Sequence, residues 1–158
     1  MGIEIIKHLT KLDSQVQEII SRNILIHKLL ENDFEAAIPI RDCGIDLLVY
    51  SKKSSTVIKK IQLKSFNYES FSFHKKYLKV NDLWFIYIMN LSITENNKKH
   101  IMYGMSTEDA VNVIKTAKIR PNKDGYYYRK SISKELHKIL KPFELNDNSK
   151  FRHFFNNG

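Results

Sequence analysis

The sequence is poor in the residues that cross-link or interrupt a chain, with one cysteine, three prolines and five glycines among 158 residues. A single cysteine, Cys43, cannot close an internal disulfide or build a multi-cysteine zinc site. No apolar run approaches the roughly 20 residues of a membrane-spanning helix. The first residues carry neither a cleavable apolar signal nor a myristoylation pattern. We therefore expect a cytoplasmic protein that does not associate with membranes.

Acidic residues are also scarce, because 17 Asp and Glu face 26 Lys and Arg and leave a formal net charge of +9. Such a charge favours an anionic partner, of which nucleic acid is the obvious one. The alternative explanation of this excess of positive charge is a lysine-rich composition inherited from an AT-rich genome. Glycine-rich phosphate loops, HExxH and Gly-x-Ser-x-Gly elbows are missing, which removes several common enzyme classes.

The apolar pattern alternates between the periods of helices and strands. It predicts helices over 14–32, 107–116 and 132–140, and strands over 34–39, 44–50, 56–65, 83–89 and 100–104. This order is typical of an α/β fold, a mixed β-sheet flanked by helices. We expect one domain over 1–145 and a polar C-terminal tail over 146–158, whose phenylalanines either dock on the domain or serve a partner.

The first helix is predicted to begin with a capping box formed by Ser14 and Gln17. Its stripe facing the core is predicted, at the spacing of an amphipathic helix, to consist of Val16, Ile19, Ile20, Asn23, Ile24, Leu29 and Leu30.

Three polar residues stand in the apolar strands GIDLLVY and TVIKKIQLKS. A hairpin turn near Ser54 places Asp46 opposite Gln62, and Lys64 lies two residues further on the same face. Burying such groups is costly without a partner or an ion. A functional site is one explanation, and a structural salt bridge between Asp46 and Lys64 at the end of the sheet is the other.

The segment GIDLLVY followed by IQLKS resembles the core of the PD-(D/E)XK nuclease superfamily, whose fold is restriction-endonuclease-like. In that motif an aspartate precedes an acidic residue or glutamine, any residue, and lysine on the next strand. The corresponding residues here are Asp46 and then Gln62-Leu63-Lys64. Many branches of the superfamily carry the glutamine, and the resemblance extends over 14–65.

The resemblance implies a magnesium ion, with manganese as a substitute, held by Asp46, the Gln62 side-chain oxygen and the Leu63 carbonyl. It implies that Lys64 positions the attacking water and offsets charge in the transition state. The superfamily often adds a glutamate from the first helix. Glu18 is the candidate here, and Glu35 on the adjacent strand is the alternative.

We therefore expect a metal-dependent endonuclease acting on DNA, with RNA left open, in a homodimer or higher assembly. Basic residues after the motif and in a later loop are predicted to hold the phosphate backbone: Lys75, Lys76, Lys79, Lys98 and Lys99. The run Tyr126-Tyr127-Tyr128 either stacks bases or forms a strand with alternate rings buried. The alternative function is a nuclease-like fold that does not cut and acts as a nucleic-acid-binding or protein-interaction module.

Overall fold

Helices and strands follow one another along the chain in the computed structural model, which describes residues 13–41, 43–54, 56–91 and 99–157. The helices are α1 (Ser14–Glu31), α2 (Thr107–Thr116), α3 (Lys134–Leu140) and α4 (Asn148–Asn156). The strands are β1 (Phe34–Ala37), β2 (Leu47–Ser51), β3 (Val57–Ser65), β4 (Phe71–His74), β5 (Leu83–Met89), β6 (Ile101–Ser106) and β7 (Tyr126–Arg129). Short 3-10 helices span Lys75–Lys79 and Lys141–Phe143. No helix in the described ranges combines the length and the hydropathy needed to cross a bilayer.

Five strands form the main sheet in the order β1-β2-β3-β5-β6. The pair β3–β5 is parallel and the other neighbours are antiparallel. A parallel pair needs a crossover connection, and here the crossover contains β4 and the first 3-10 helix. Strand β4 leaves the main sheet and pairs with β7 in a separate two-stranded sheet. The predicted mixed sheet is confirmed.

Both faces of the main sheet are covered, as alternation along β5 shows. Trp84, Ile86 and Ile88 pack towards α1 and α4. Phe85 and Tyr87 pack on the other face, against α2, α3 and the two-stranded sheet. The sheet is therefore flanked by helices, as the sequence predicts.

The start and the buried face of α1 differ from the prediction. Asp13 is the N-cap and accepts a hydrogen bond from the Val16 amide, so Ser14 is already inside the helix. The buried residues are Ser21, Leu25 and Leu29, whereas Ile19 and Leu30 are 56% and 57% exposed. The predicted stripe was wrong at these two positions and also at Val16 and Asn23, which are exposed. It passed over Ser21, whose hydroxyl is satisfied by the backbone one turn earlier.

The segment after residue 145 is part of the packed domain. Asp147 caps α4 by accepting from the Lys150 amide, and Phe151 and Phe155 are fully buried in the core beneath it. These rings are four residues apart and so share one face of the helix. Of the two alternatives for this segment, docking is the one observed, and 145 is not a boundary of the core.

Candidate active site

The hairpin of β2 and β3 brings Asp46 against Gln62. Leu47 pairs with Ile61, and the Asp46 amide donates to the Ile61 carbonyl at 2.7 Å. Gly44, two residues earlier, has φ +80°, a backbone conformation that residues other than glycine rarely adopt. It turns the chain into β2 immediately beside the ring of Tyr77. The juxtaposition of Asp46 and Gln62 follows the predicted register.

The Gln62 side-chain amide lies between two oxygen atoms of the site. Its Nε2 donates to Asp46 Oδ2 at 2.5 Å and to the Leu63 carbonyl oxygen at 3.3 Å. The same carboxylate oxygen accepts from the Leu63 amide at 2.6 Å. Because both partners of Nε2 are acceptors, the hydrogen bonds fix which end of the amide faces them. The amide therefore joins the carboxylate and the carbonyl through its own hydrogens.

Lys64 reaches the buried phenol of Tyr77. Its Nζ donates to the Tyr77 hydroxyl at 2.9 Å and lies 4.8 Å from the centroid of that ring. Tyr77 comes from the 3-10 helix of the crossover and is 5% exposed. The sequence predicts phosphate-binding lysines in this segment and does not indicate Tyr77 as a partner of Lys64. The contact depends on how the crossover packs over the sheet, which no local residue pattern indicates.

A cleft of about 290 Å³ opens at these residues. It is lined by Ser14, Glu18, Asp46, Gln62, Leu63, Lys64, Ser65, Phe66 and Ser72. The cleft therefore contains all four predicted catalytic residues, and it has the volume for several water molecules.

Of the two candidate glutamates, Glu18 lies at the cleft. Its carboxylate pairs with Arg22 one turn later. A hydrogen bond between the buried Ser21 hydroxyl and the Ser65 hydroxyl fastens this part of α1 to the end of β3. Glu35 is exposed on the edge strand β1 and does not line the cleft.

The oxygen atoms of the site fit a hard divalent cation if the Gln62 amide turns over. Half a turn about the last side-chain bond exchanges Nε2 for Oε1, which brings an amide oxygen beside the Asp46 carboxylate and the Leu63 carbonyl. Oxygen ligands of these three kinds are those of Mg²⁺, which retains waters besides. Throughout the described ranges no group of three or more His, Cys, Asp or Glu side chains could hold a metal. Any ion here would depend on Gln62 and Leu63 as well as on Asp46.

Those of the predicted phosphate-binding lysines that the structure describes do not form one surface. Lys75, Lys76 and Lys79 are exposed on the 3-10 helix that carries Tyr77, and Lys76 Nζ lies 5.1 Å from the Tyr77 ring. Lys98 lies outside the described residues.

Lys99 lines a different cleft, together with Lys28 of α1. Lys28 is ten residues beyond Glu18, which is about 15 Å along a helix. Burial, followed by the charge of Lys99, lowers the pKa of Lys28. Lys99 therefore belongs to a separate basic region at the opposite end of α1 from the candidate site.

Comparison of the chain with protein-family models, with curated proteins and with solved structures gives no match. The functional assignment therefore depends on the geometry of the cleft and on the resemblance of the motif.

Proposed function

We propose that this protein is a magnesium-dependent nuclease that hydrolyses phosphodiester bonds of DNA. The observation that carries the proposal is the convergence of the Asp46 carboxylate, the Gln62 amide and the Leu63 carbonyl in a cleft that also contains Lys64. The net charge of +9 supports a polyanionic substrate. We also propose that the protein is cytoplasmic and that it forms a homodimer, with one site for each strand of a duplex.

Five residues of the cleft have roles that their positions support. Asp46, Gln62 and Leu63 would hold the cation, which supplies Lewis acidity and a bound water when present. Lys64 places a positive charge in the cleft, where it can offset negative charge that grows on the phosphoryl oxygens. The Tyr77 hydroxyl holds the Lys64 ammonium in place. Glu18 is positioned to accept a proton from a water in the cleft or to add a carboxylate to the ion.

The test is incubation of the purified protein with supercoiled DNA, branched DNA and RNA in magnesium, manganese or EDTA. Lys64→Ala should reduce metal-dependent cleavage by about 10²- to 10³-fold, the usual cost of removing one charge-stabilising group. Asp46→Asn should abolish it because the anionic ligand is lost. Lys60→Ala is the matched control, since Lys60 lies on the same strand and face as Lys64 but outside the cleft. Cleavage that survives both cleft substitutions would contradict the proposal.

The two glutamates are distinguished in the same assay. Glu18→Gln should reduce cleavage by about tenfold or more, as expected for a group that assists proton transfer. Glu35→Gln should leave the rate unchanged because Glu35 is outside the cleft. An equal effect of the two substitutions would remove Glu18 from the mechanism.

The binding-module alternative is favoured by one observation. The Gln62 amide donates to both Asp46 and Leu63, so that these oxygens already have a hydrogen-bond donor without a cation. A protein that only binds nucleic acid would keep this arrangement. Such a protein would bind DNA equally in magnesium and in EDTA and would not cleave it, whereas the nuclease requires the metal.

A further inference from the structure

The two-stranded sheet β4–β7 has one buried face and one outer face. Phe71 and Phe73 are buried, and Tyr127, which pairs with Phe73, packs against the same core cluster. Successive residues of a strand point to opposite sides. The outer face therefore carries the pairs Ser72–Tyr128 and His74–Tyr126. All four side chains on it are polar or aromatic.

Three tyrosine rings are accessible along this face. Tyr126, Tyr128 and Tyr68 are 47%, 46% and 42% exposed. The Tyr68 and Tyr128 hydroxyls are hydrogen-bonded at 3.1 Å, and the His74 ring stands edge-on to Tyr126 with centroids 4.2 Å apart. These contacts hold the rings in place while much of their surface stays open. We call Tyr68, Tyr126 and Tyr128 the tyrosine platform.

The platform adjoins the candidate active site at two points. Ser72 lines the cleft and is the cross-strand partner of Tyr128, and Cβ atoms of such partners are about 5 Å apart. The Tyr77 ring, which contacts Lys64, also meets the His74 ring edge-on at 6.4 Å. A nucleic-acid strand lying across the platform would therefore lead directly into the cleft.

The charge around the platform suits a polyanion. Arg129 and Lys130 follow Tyr128 and are exposed, as are Lys75 and Lys76 beside His74. Lys130 and Tyr68 line a groove of about 600 Å³. The acid in that groove, Glu69, contacts His137 Nε2 at 2.7 Å and accepts a hydrogen bond from the Asn90 side-chain amide at 3.2 Å.

We propose that the tyrosine platform stacks unpaired bases of a single-stranded segment and directs its backbone past Ser72 into the cleft. Exposed rings flanked by cations are the usual means of binding single strands without sequence preference. This inference rests on the proposed nuclease and narrows its substrate to nucleic acid with a single-stranded part. A fully paired duplex offers no free base faces to the rings.

The experiment measures binding in EDTA, so that it does not depend on cleavage. The probes are a fluorescent 20-nucleotide oligo(dT), a blunt duplex of equal length and an oligo(U). Binding of each probe is measured by fluorescence anisotropy at about 150 mM salt, which limits the attraction between the lysines and the phosphates. The protein should bind oligo(dT) more tightly than the duplex. Tyr126→Ala and Tyr128→Ala should each weaken oligo(dT) binding by about tenfold, the usual loss for one stacking ring. Oligo(U) bound as tightly as oligo(dT) would support stacking on the rings, which both polymers allow.

Tyr126→Phe and Tyr128→Phe are the matched variants, because they keep the ring and remove only the hydroxyl. Retained binding in the phenylalanine variants and lost binding in the folded alanine variants would support the platform. Equal binding of duplex and single strand, or alanine variants that bind normally, would overturn it. The readout in EDTA separates the two proposals: if the wild type binds oligo(dT) and the alanine variants do not, the platform stands even where no DNA is cleaved.

Discussion

Two lysines of strand β3, Lys59 and Lys64, lie on opposite faces of the strand, and their surroundings differ sharply. Lys59 is 2% exposed, and its Nζ lies 3.3 Å from the centroid of Trp84 and 5.1 Å from that of Phe154. Lys64 lies at a cleft, donates to the Tyr77 hydroxyl and shares the cleft with Asp46. Both positions place a cation in an apolar strand, yet only one has access and polar neighbours.

The comparison shows that a lysine inside a strand is not in itself evidence of a site. Lys59 is compensated by aromatic faces, which attract a cation through their quadrupoles, and burial lowers its pKa to about 8. Among the described residues, its contacts make it part of the packing that holds α4 to the sheet. At Lys64 a carboxylate, a side-chain amide and an open cleft lie together, which is the arrangement on which the proposed nuclease depends. Three substitutions test this division.

The largest effect is expected from Phe155→Ala, on the Lys59 side of the sheet. Phe155 is 1% exposed and packs against Phe34, Phe151 and Phe154 at centroid distances of 5.3, 4.9 and 5.0 Å. Removing a buried ring should lower the free energy of unfolding by about 3–5 kcal/mol. Urea denaturation measures it, with Asn156→Ala, at the exposed neighbouring position, as the control. A loss of less than about 1 kcal/mol, far below that range, would mean that α4 is not part of the core.

Most of the main sheet could be predicted because its strands have clear local sequence patterns. The run Leu83–Met89 is apolar throughout, as a strand covered on both faces must be, and Ser106 with Asp109 forms a capping box at the start of α2. A strand over the three tyrosines was one of two alternatives and is observed as β7. Strand β4 and its pairing with β7 were not predicted, because β4 has four residues and its partner lies more than 50 residues later. Pairing over such a distance leaves little trace in a local pattern.

The site was predictable where it depends on the hairpin register and unpredictable where it depends on tertiary packing. Alternation and the turn were enough to bring Gln62 to Asp46. Tyr77 reaches Lys64 only because the crossover folds back over the sheet. The orientation of the Gln62 amide is set by hydrogen bonds to Asp46 and Leu63, which a residue pattern does not contain.

An intermediate effect is expected from Gln62→Glu, on the cleft side. The glutamate can no longer donate to Asp46 and places a second carboxylate against it, which is unfavourable without a cation. Loss of a hydrogen bond to a charged group should cost about 1.5–3 kcal/mol of stability in EDTA. Magnesium should restore part of that loss, because binding to the folded state alone stabilises it.

Thermal unfolding in EDTA and in magnesium measures the Gln62→Glu effect, with Gln62→Met as the control that cannot bind the ion. If magnesium raises the Tm of the glutamate variant no more than that of the methionine variant, the cleft does not hold a cation through this position.

The smallest effect is expected from Lys59→Met and appears as a pH dependence. The pKa of Lys59 falls from 10.5 to about 8 on folding, so between these values the unfolded chain binds more protons and the free energy of unfolding rises with pH. From pH 7.5 to 9.5 the wild type should gain about 1–2 kcal/mol over the variant, since one pKa unit corresponds to about 1.4 kcal/mol. Urea denaturation across this range measures it, and Lys60→Met is the control.

The range stops below pH 10 because burial raises the pKa of Tyr103 to about 12, so that deprotonation of this tyrosine in the unfolded chain lowers stability above pH 10. Parallel curves for wild type and variant would mean that the Trp84 and Phe154 rings keep Lys59 charged.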